Sequence, residues 1–154
     1  MGAVPLLTRE GEVDLARRME RGKVRMQKAI SRSALVQLAA NELAETLKKT
    51  PEELDNMVDI GGEVEEGSPA DIKRRTEVRQ LFQDIQTAHK KLVSAIEKFD
   101  AAPTANKKGR RRAQMKVRRA LVETSLAIRK VPWMATRWRE FTREIEREIG
   151  RAHV

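Results

Sequence analysis

The amino-acid sequence predicts an all-α protein, an irregular bundle of about five helices plus one short helix. Aromatic residues make up only 3% of the 154 residues and tyrosine is absent, so the core must be built from aliphatic side chains. Such a composition is typical of helical bundles and argues against a sandwich or a barrel. The apolar residues recur at spacings of three and four, which is the period of amphipathic helices, and no segment gives a strand signal.

The first two helices are predicted over residues 9–30 and 34–49. Thr8 is placed to cap the first helix, because a threonine side chain accepts hydrogen bonds from free N–H groups at a helix start. Ser31 and Ser33 interrupt the apolar pattern as cap residues and separate the two helices. The predicted apolar faces are, in the first helix, Val13, Leu15, Ala16, Met19, Val24, Met26 and Ile30 and, in the second, Leu35, Leu38, Ala39, Leu43 and Leu47.

Two capping signals organise the middle of the chain. "TPEE" from Thr50 reads as a capping box that begins a short helix. The acidic, glycine-containing stretch near residues 61–67 has little to bury and is predicted to be a mobile loop. "SPAD" from Ser68 then begins the longest helix, which keeps helical period to about Asp100 and spans about 45 Å.

Two further helices are predicted over residues 110–130 and 134–149. Pro132 separates them, because proline cannot continue a helix, and Gly150 is expected to end the second. We expect the two aromatic residues of the last helix to lie in the core, whereas the place of Trp133 stays open. Those two residues are Trp138 and Phe141.

The charge of the chain is uneven. The formal net charge of +9 favours polyanionic partners, because a basic surface gains from counterion release on nucleic acid. An acidic run comprises Glu52, Glu53, Asp55, Asp59, Glu63, Glu65 and Glu66. A basic run comprises Lys107, Lys108, Arg110, Arg111, Arg112, Lys116, Arg118 and Arg119. Two interpretations of the basic run stay open: it binds an anionic surface, or its long side chains only cover apolar surface on a solvated helix.

No pattern of an enzyme is present in the sequence. There is no cysteine, no glycine-rich phosphate loop and no nucleophile motif, and His89 and His153 lack partners at metal-ligand spacing. We therefore expect no catalytic residues, no metal and no cofactor. No apolar run reaches the roughly 20 residues of a membrane span, and the absence of cysteine is compatible with the cytoplasm, so we expect a cytoplasmic protein without membrane contact.

The opening stretch "MGAVPLLTREGEVDLARRMERG" carries a turn, a cap and an amphipathic helix in close order. It resembles region 1.2 of the primary, housekeeping sigma factors of bacterial RNA polymerase, in the sigma-70 family. The residues that carry the resemblance are Gly2, Val4, Pro5, Leu6, Leu7, Thr8, Glu10, Glu12, Ala16, Arg17, Arg18, Glu20 and Gly22. By this resemblance, residues 1–30 form a region 1.2-like turn and helix, and residues 31–154 form the helical non-conserved region that precedes region 2.

The resemblance implies a role in transcription initiation. In the family, the residues that match Leu6, Thr8, Glu10, Glu12 and Arg17 lie beside the flipped base of the −10 element or support its pocket. The non-conserved region contacts the beta-prime subunit, so RNA polymerase core and promoter DNA are the implied partners, and the basic run is a candidate contact for either. We expect the chain to be a fragment that lacks the upstream helix and region 2. Without region 2, the fragment would expose apolar surface, and that surface would allow the fragment to dimerise.

Two alternatives to a sigma fragment follow from charge alone. One is an autonomous basic helical module that binds nucleic acid without sequence preference. The other is a protein-interaction module whose basic helix contacts an acidic partner.

Overall fold

The computed structural model describes residues 8–62 and 64–152, and this part of the chain is mostly helical, without a strand. An isolated antiparallel bridge joins Val58 to Trp133. The all-α prediction is therefore confirmed. The helices are α1 (Arg9–Ser31), α2 (Ala34–Lys49), a 3₁₀ turn (Pro51–Glu53) that continues into α3 (Leu54–Met57), α4 (Pro69–Ala101), α5 (Lys107–Lys130) and α6 (Ala135–Ala152).

Polar side chains cap three of the helix starts. The Thr8 hydroxyl accepts a hydrogen bond from the Gly11 N–H at 3.0 Å, and the Ser68 hydroxyl accepts one from the Asp71 N–H at 3.2 Å. Both caps were predicted. The side chain of Asn106 accepts a bond from Gly109, also at 3.0 Å, and so begins α5.

Three predicted helix ends are wrong. Thr50 makes no side-chain cap bond, and the segment after it is a 3₁₀ turn rather than a boxed helix start. The fifth predicted helix begins at Lys107 instead of residue 110, because the Asn106 cap satisfies an N–H group one turn earlier than expected. The last helix runs through Gly150 to Ala152, because glycine in a helix interior costs only about 1 kcal/mol.

The core lies where the last turn of α1, α2, α3, the first half of α4, the end of α5 and α6 meet. Most core residues are aliphatic, as predicted, but three aromatic rings are buried among them: the Trp133 ring meets Phe82 at 5.2 Å and Phe141 at 5.3 Å, both edge to face. The Trp133 indole N–H donates to the Ile128 carbonyl at 2.9 Å. Trp138 is half-buried and stacks edge to face on Phe141 at 5.8 Å. Trp133, which the sequence left open, is therefore a core residue, and Phe141 and Trp138 lie in and against the core as expected.

The buried face of α2 differs from the predicted leucine face. Leu38 is 49% exposed, whereas Val36, Ala40 and Ala44 are buried and Leu47 is the one predicted leucine that is fully covered. The small alanine side chains allow α2 to approach α4 closely, so the larger leucines lie at the margins of the contact. Four large apolar residues of the later helices are also exposed, namely Ile72, Ile96, Leu126 and Ile149.

The apolar face of α1 is largely uncovered. From Thr8 to Ala29 every residue is exposed except Gly11 and Gln27, which are half-buried, and the first buried residue is Ile30. α1 therefore joins the bundle only through its last turn, and most of its length lies on the surface.

A buried polar cluster joins α1, α2 and α5. The Ser31 and Ser125 hydroxyl oxygens are 2.6 Å apart, and the Ser31 hydroxyl donates to the Lys28 carbonyl at 2.9 Å. The Gln37 side-chain amide donates to the carbonyls of Ser31, at 3.0 Å, and Leu121, at 3.3 Å. Buried polar groups cost free energy unless they are paired, so this cluster fixes the relative positions of the three helices.

No helix in the described part of the chain is long and apolar enough to cross a membrane.

Candidate nucleic-acid and polymerase interface

The last turns of α4 and the first turns of α5 form an arm that extends beyond the core. Five residues, 102–106, connect the two helices, so α4 and α5 run antiparallel, and they form the most extensive helix pair of the molecule. The main core cluster includes α4 as far as Ile85 and α5 from Ile128, and beyond it Leu92 and Ala120 are buried. We define the basic arm as residues 90–119.

The positive charge of the protein is concentrated in the basic arm. The arm carries eleven lysine and arginine residues and two acidic residues, Glu97 and Asp100, which gives it a formal net charge of +9. The whole chain also has a net charge of +9, so acidic and basic residues balance in the rest of the molecule. The six ion pairs found among the described residues all lie outside the arm.

A groove of about 480 Å³ runs between the two helices of the arm. Its rim is basic on both sides, because Lys116 and Arg119 of α5 face lysines of α4 across it. Ala95 and Ala120 lie between these cations. The α4 contribution consists of Lys90, Lys91, Ser94 and Lys98. These lysines were not predicted because they are distant in sequence from the basic run. The available signal was the interval of seven residues between Lys91 and Lys98, which is about two turns and places both on one face of α4.

The other cations of α5 divide between two sides of the helix. An α-helix turns by about 100° per residue, so Arg112 and Lys108 share the side of Lys116. The opposite side of the exposed surface carries the outer cations, which we define as Lys107, Arg111 and Arg118. The basic run predicted from the sequence is therefore not one surface.

Arg110 differs from its neighbours because its guanidinium group is engaged within the arm. One guanidinium N–H donates to the Ala102 carbonyl at 3.1 Å. The same group lies over the Phe99 ring, 4.4 Å from its centroid. Arg110 is half-buried, and it closes the connection between α4 and α5. It thus holds the tip of the arm, while the other seven cations of the run are exposed.

The second candidate site is the start of α1. Leu6 lies outside the described residues, and the Thr8 hydroxyl is used by the helix cap. Glu10 and Glu12 occupy the first turn, where acidic side chains complement the helix dipole, and Arg17 is exposed one and a half turns later. α1 meets α5 at Ser31, about 21 Å beyond Arg17 along the axis of α1.

The acidic run contributes to the start of α4. The carboxylate of the buried Asp71 accepts hydrogen bonds from the Gly67 N–H and from the Arg75 side chain, each at 3.1 Å. The Gly67 bond is the main reason why the pKa of Asp71 is lowered, and burial opposes it. Arg75 also pairs with Asp55 of α3 at 3.0 Å, and the hydrogen bond that Arg75 donates to Asp71 is the main cause that raises the Arg75 pKa. Glu63 lies outside the described residues.

An apolar groove of about 290 Å³ lies between α1 and α6. Its apolar lining includes Met26, Ile30, Trp133 and Trp138, and polar side chains lie at its margins.

No group of three potential metal ligands occurs in the ranges 8–62 and 64–152. His89 is half-buried on α4, and His153 lies outside the described residues.

Comparison with known proteins relates the start of the chain to one family. Residues 1–25 match the family model described as Sigma-70 factor, region 1.2. No curated protein and no solved structure matched the chain. The matched segment is the one that resembled region 1.2 in the sequence, and its described part is the exposed length of α1. This segment is therefore similar to region 1.2 of the sigma-70 factors.

Proposed function

We propose that the chain is part of a housekeeping sigma factor that binds RNA polymerase core in the cytoplasm and supports promoter recognition. The observation that carries the proposal is the match of residues 1–25 to sigma-70 region 1.2. The exposure of α1 supports it, because a segment with this role must present its side chains to a partner. In this role the chain has no catalytic activity, and it needs neither a metal nor a cofactor.

The start of α1 is the proposed contact with promoter DNA. Glu10, Glu12 and Arg17 are exposed there, and Leu6 belongs to the site by resemblance. Acidic side chains repel phosphates, so the two glutamates would accept hydrogen bonds from base edges. Because the Thr8 hydroxyl caps the helix, Thr8 would act by positioning the first turn.

Binding to polymerase core tests the proposal. The labelled chain is titrated with purified core at about 50 and about 200 mM salt, and its fluorescence anisotropy is measured. We expect saturable binding that persists at the higher salt and is displaced by an intact housekeeping sigma factor. Absence of saturable binding at both salt concentrations would show that the chain is not a polymerase-binding part of a sigma factor.

The outer cations of α5 are the proposed contact with the beta-prime subunit. Charge reversal by Arg111→Glu with Arg118→Glu changes two exposed residues and leaves the engaged Arg110 in place. We expect core binding to weaken at least tenfold, and the matched reversal of Lys73 and Arg79, exposed on the first half of α4, to have little effect. If both double variants bound core equally well, the outer cations would not be part of the polymerase interface.

One observation favours a second candidate function. The net positive charge of the chain is concentrated in the basic arm, and a concentrated basic surface favours non-specific binding of nucleic acid. Such a module would bind DNA at low salt and would not bind polymerase core. The titration with core therefore separates the two functions, and a pure protein-interaction module would bind core without binding DNA.

A further inference from the structure

We propose that the groove between α4 and α5 of the basic arm binds the sugar-phosphate backbone of duplex DNA. This inference deepens the proposed function by giving one surface of the chain a ligand. Its test contains no polymerase, so that the inference and the proposed function can fail separately.

The shape of the groove suits a phosphate backbone. Alanine side chains between the two basic rims leave room for a ligand backbone to approach. Lys90, Ser94 and Lys98 follow one another at intervals of about 6 Å along α4, so the rim spans about 12 Å. Because successive phosphates of one strand are about 3.4 Å apart along the duplex axis and farther apart along the strand itself, this length meets at most three or four phosphates. The Ser94 hydroxyl adds a neutral donor of the kind that commonly contacts phosphate oxygens.

The charge of the groove calls for an anionic ligand. Lys90, Lys91, Lys98, Lys116 and Arg119 converge on it, and Glu123 is the one acidic residue of its lining. None of these cations takes part in the ion pairs found among the described residues. Like charges that converge without partners repel one another, and a polyanion removes that cost while it releases its own counterions.

The lining of the groove favours duplex DNA over other polyanions. A protein partner is usually held by aromatic or large aliphatic anchors in a desolvated centre, and the groove lining contains neither. Single-stranded nucleic acid is held by stacking on exposed rings. Of the aromatic rings, Trp133 and Phe141 are buried in the core, and Phe99, in the arm, is covered by Arg110.

The experiment compares two triple variants of the full chain. The groove variant carries Lys98→Gln, Lys116→Gln and Arg119→Gln. The outer variant carries Lys107→Gln, Arg111→Gln and Arg118→Gln, so it loses the same charge from the same arm. Each is titrated into a labelled duplex of about 20 base pairs at salt concentrations from about 50 to about 200 mM, and circular dichroism checks that both variants keep the helicity of the original chain.

We expect the original chain to bind the duplex with a steep salt dependence. Each lost phosphate contact lowers the slope of log K against log salt by about 0.9, so the groove variant should lose up to about 2.7 from it. At about 100 mM salt its affinity should fall at least 30-fold, and that of the outer variant less than about threefold. Equal losses in the two variants would overturn the proposal, since they would show attraction by diffuse charge only.

Lysine acetylation provides a test that needs no variant. In the presence of saturating duplex, Lys90, Lys91, Lys98 and Lys116 should react at least fivefold more slowly with an acetylating reagent, whereas Lys73 should react at its free rate. Mass spectrometry of the digested chain gives the rate at each lysine. Unchanged rates at all four groove lysines would overturn the proposal, and so would polyglutamate binding as tight as duplex binding, because it would assign the groove to acidic proteins.

Discussion

Arg110 and Arg119 lie nine residues apart on α5, and the structure gives them opposite roles. Arg110 donates to the Ala102 carbonyl at 3.1 Å and lies 4.4 Å from the centroid of the Phe99 ring. Arg119 is exposed and lines the basic groove. Substitution of each by alanine removes one positive charge from the same helix. We therefore predict that Arg110→Ala weakens the arm and Arg119→Ala weakens DNA binding.

The size of the Arg110 effect follows from its two contacts. A cation over an aromatic ring is worth about 0.5–1 kcal/mol at an exposed site, and a hydrogen bond from a charged donor about 1.5–3 kcal/mol. Because Arg110 is only half-buried, the lower ends apply and sum to about 2 kcal/mol of local opening free energy. Amide hydrogens in the last turn of α4 should then exchange about 30-fold faster.

The Arg119→Ala substitution is expected to change DNA binding and to leave the stability of the arm unchanged. Loss of one phosphate contact lowers the salt slope by about 0.9 and the affinity at about 100 mM salt by about eightfold. Amide exchange at the arm tip should stay within about twofold of the original chain, since an exposed substitution changes stability by less than about 0.5 kcal/mol. If Arg110→Ala left exchange at the tip unchanged, or Arg119→Ala accelerated it as strongly, the division of roles would be wrong.

Three further predictions concern the bundle and α1. Trp133→Ala should cost about 3–5 kcal/mol in urea unfolding followed by circular dichroism, and the half-buried Trp138→Ala clearly less; equal costs would contradict the proposed core. The lowered pKa of Asp71 means that its carboxylate stabilises the fold above the ordinary value of 3.8 and that this stability is lost as the pH falls through the folded pKa. Asp71→Asn should therefore flatten the acid limb of a stability–pH curve, and an unchanged limb would refute this. Gly22→Ala should slow amide exchange in α1 about fivefold, because nothing lies within 4 Å of the added Cβ; faster exchange would indicate a contact that the structure does not contain.

Local signals predicted the helices, and their failures have local causes. The caps at Thr8 and Ser68 were predictable, because each side chain bonds to a backbone N–H three residues ahead. Asn106 was missed as a cap because Pro103, Asn106 and Gly109 made its segment read as a loop. At Thr50 the predicted capping box did not form: the Thr50 side chain makes no cap hydrogen bond, and Pro51–Glu53 is a 3₁₀ turn.

Contacts between distant segments were not predictable from period or composition. The groove lysines of α4 belong to a site only because a five-residue connection brings α5 beside them. The hydroxyl pair of Ser31 and Ser125 joins residues 94 positions apart. The residues next to each serine in the sequence do not distinguish it from an exposed serine. The hydroxyl pair therefore depends on the tertiary arrangement of the helices. The helical period of the apolar residues predicted the apolar face of each helix, whereas the packing of the helices determines which of those faces are buried.

The exposure of α1 separates the stability of this bundle from the role of its first segment. The match to sigma-70 region 1.2 ends at residue 25, and burial in α1 begins at Ile30. Leu15 and Met19, which lie one turn apart in the matched segment, are 47% and 69% exposed. Their burial would release about 25 cal/mol for each Å² of apolar surface, and the bundle leaves most of that free energy unused. The residues that relate this chain to the sigma-70 factors therefore contribute little to its own core, so their physical effect must be sought in contacts with another surface.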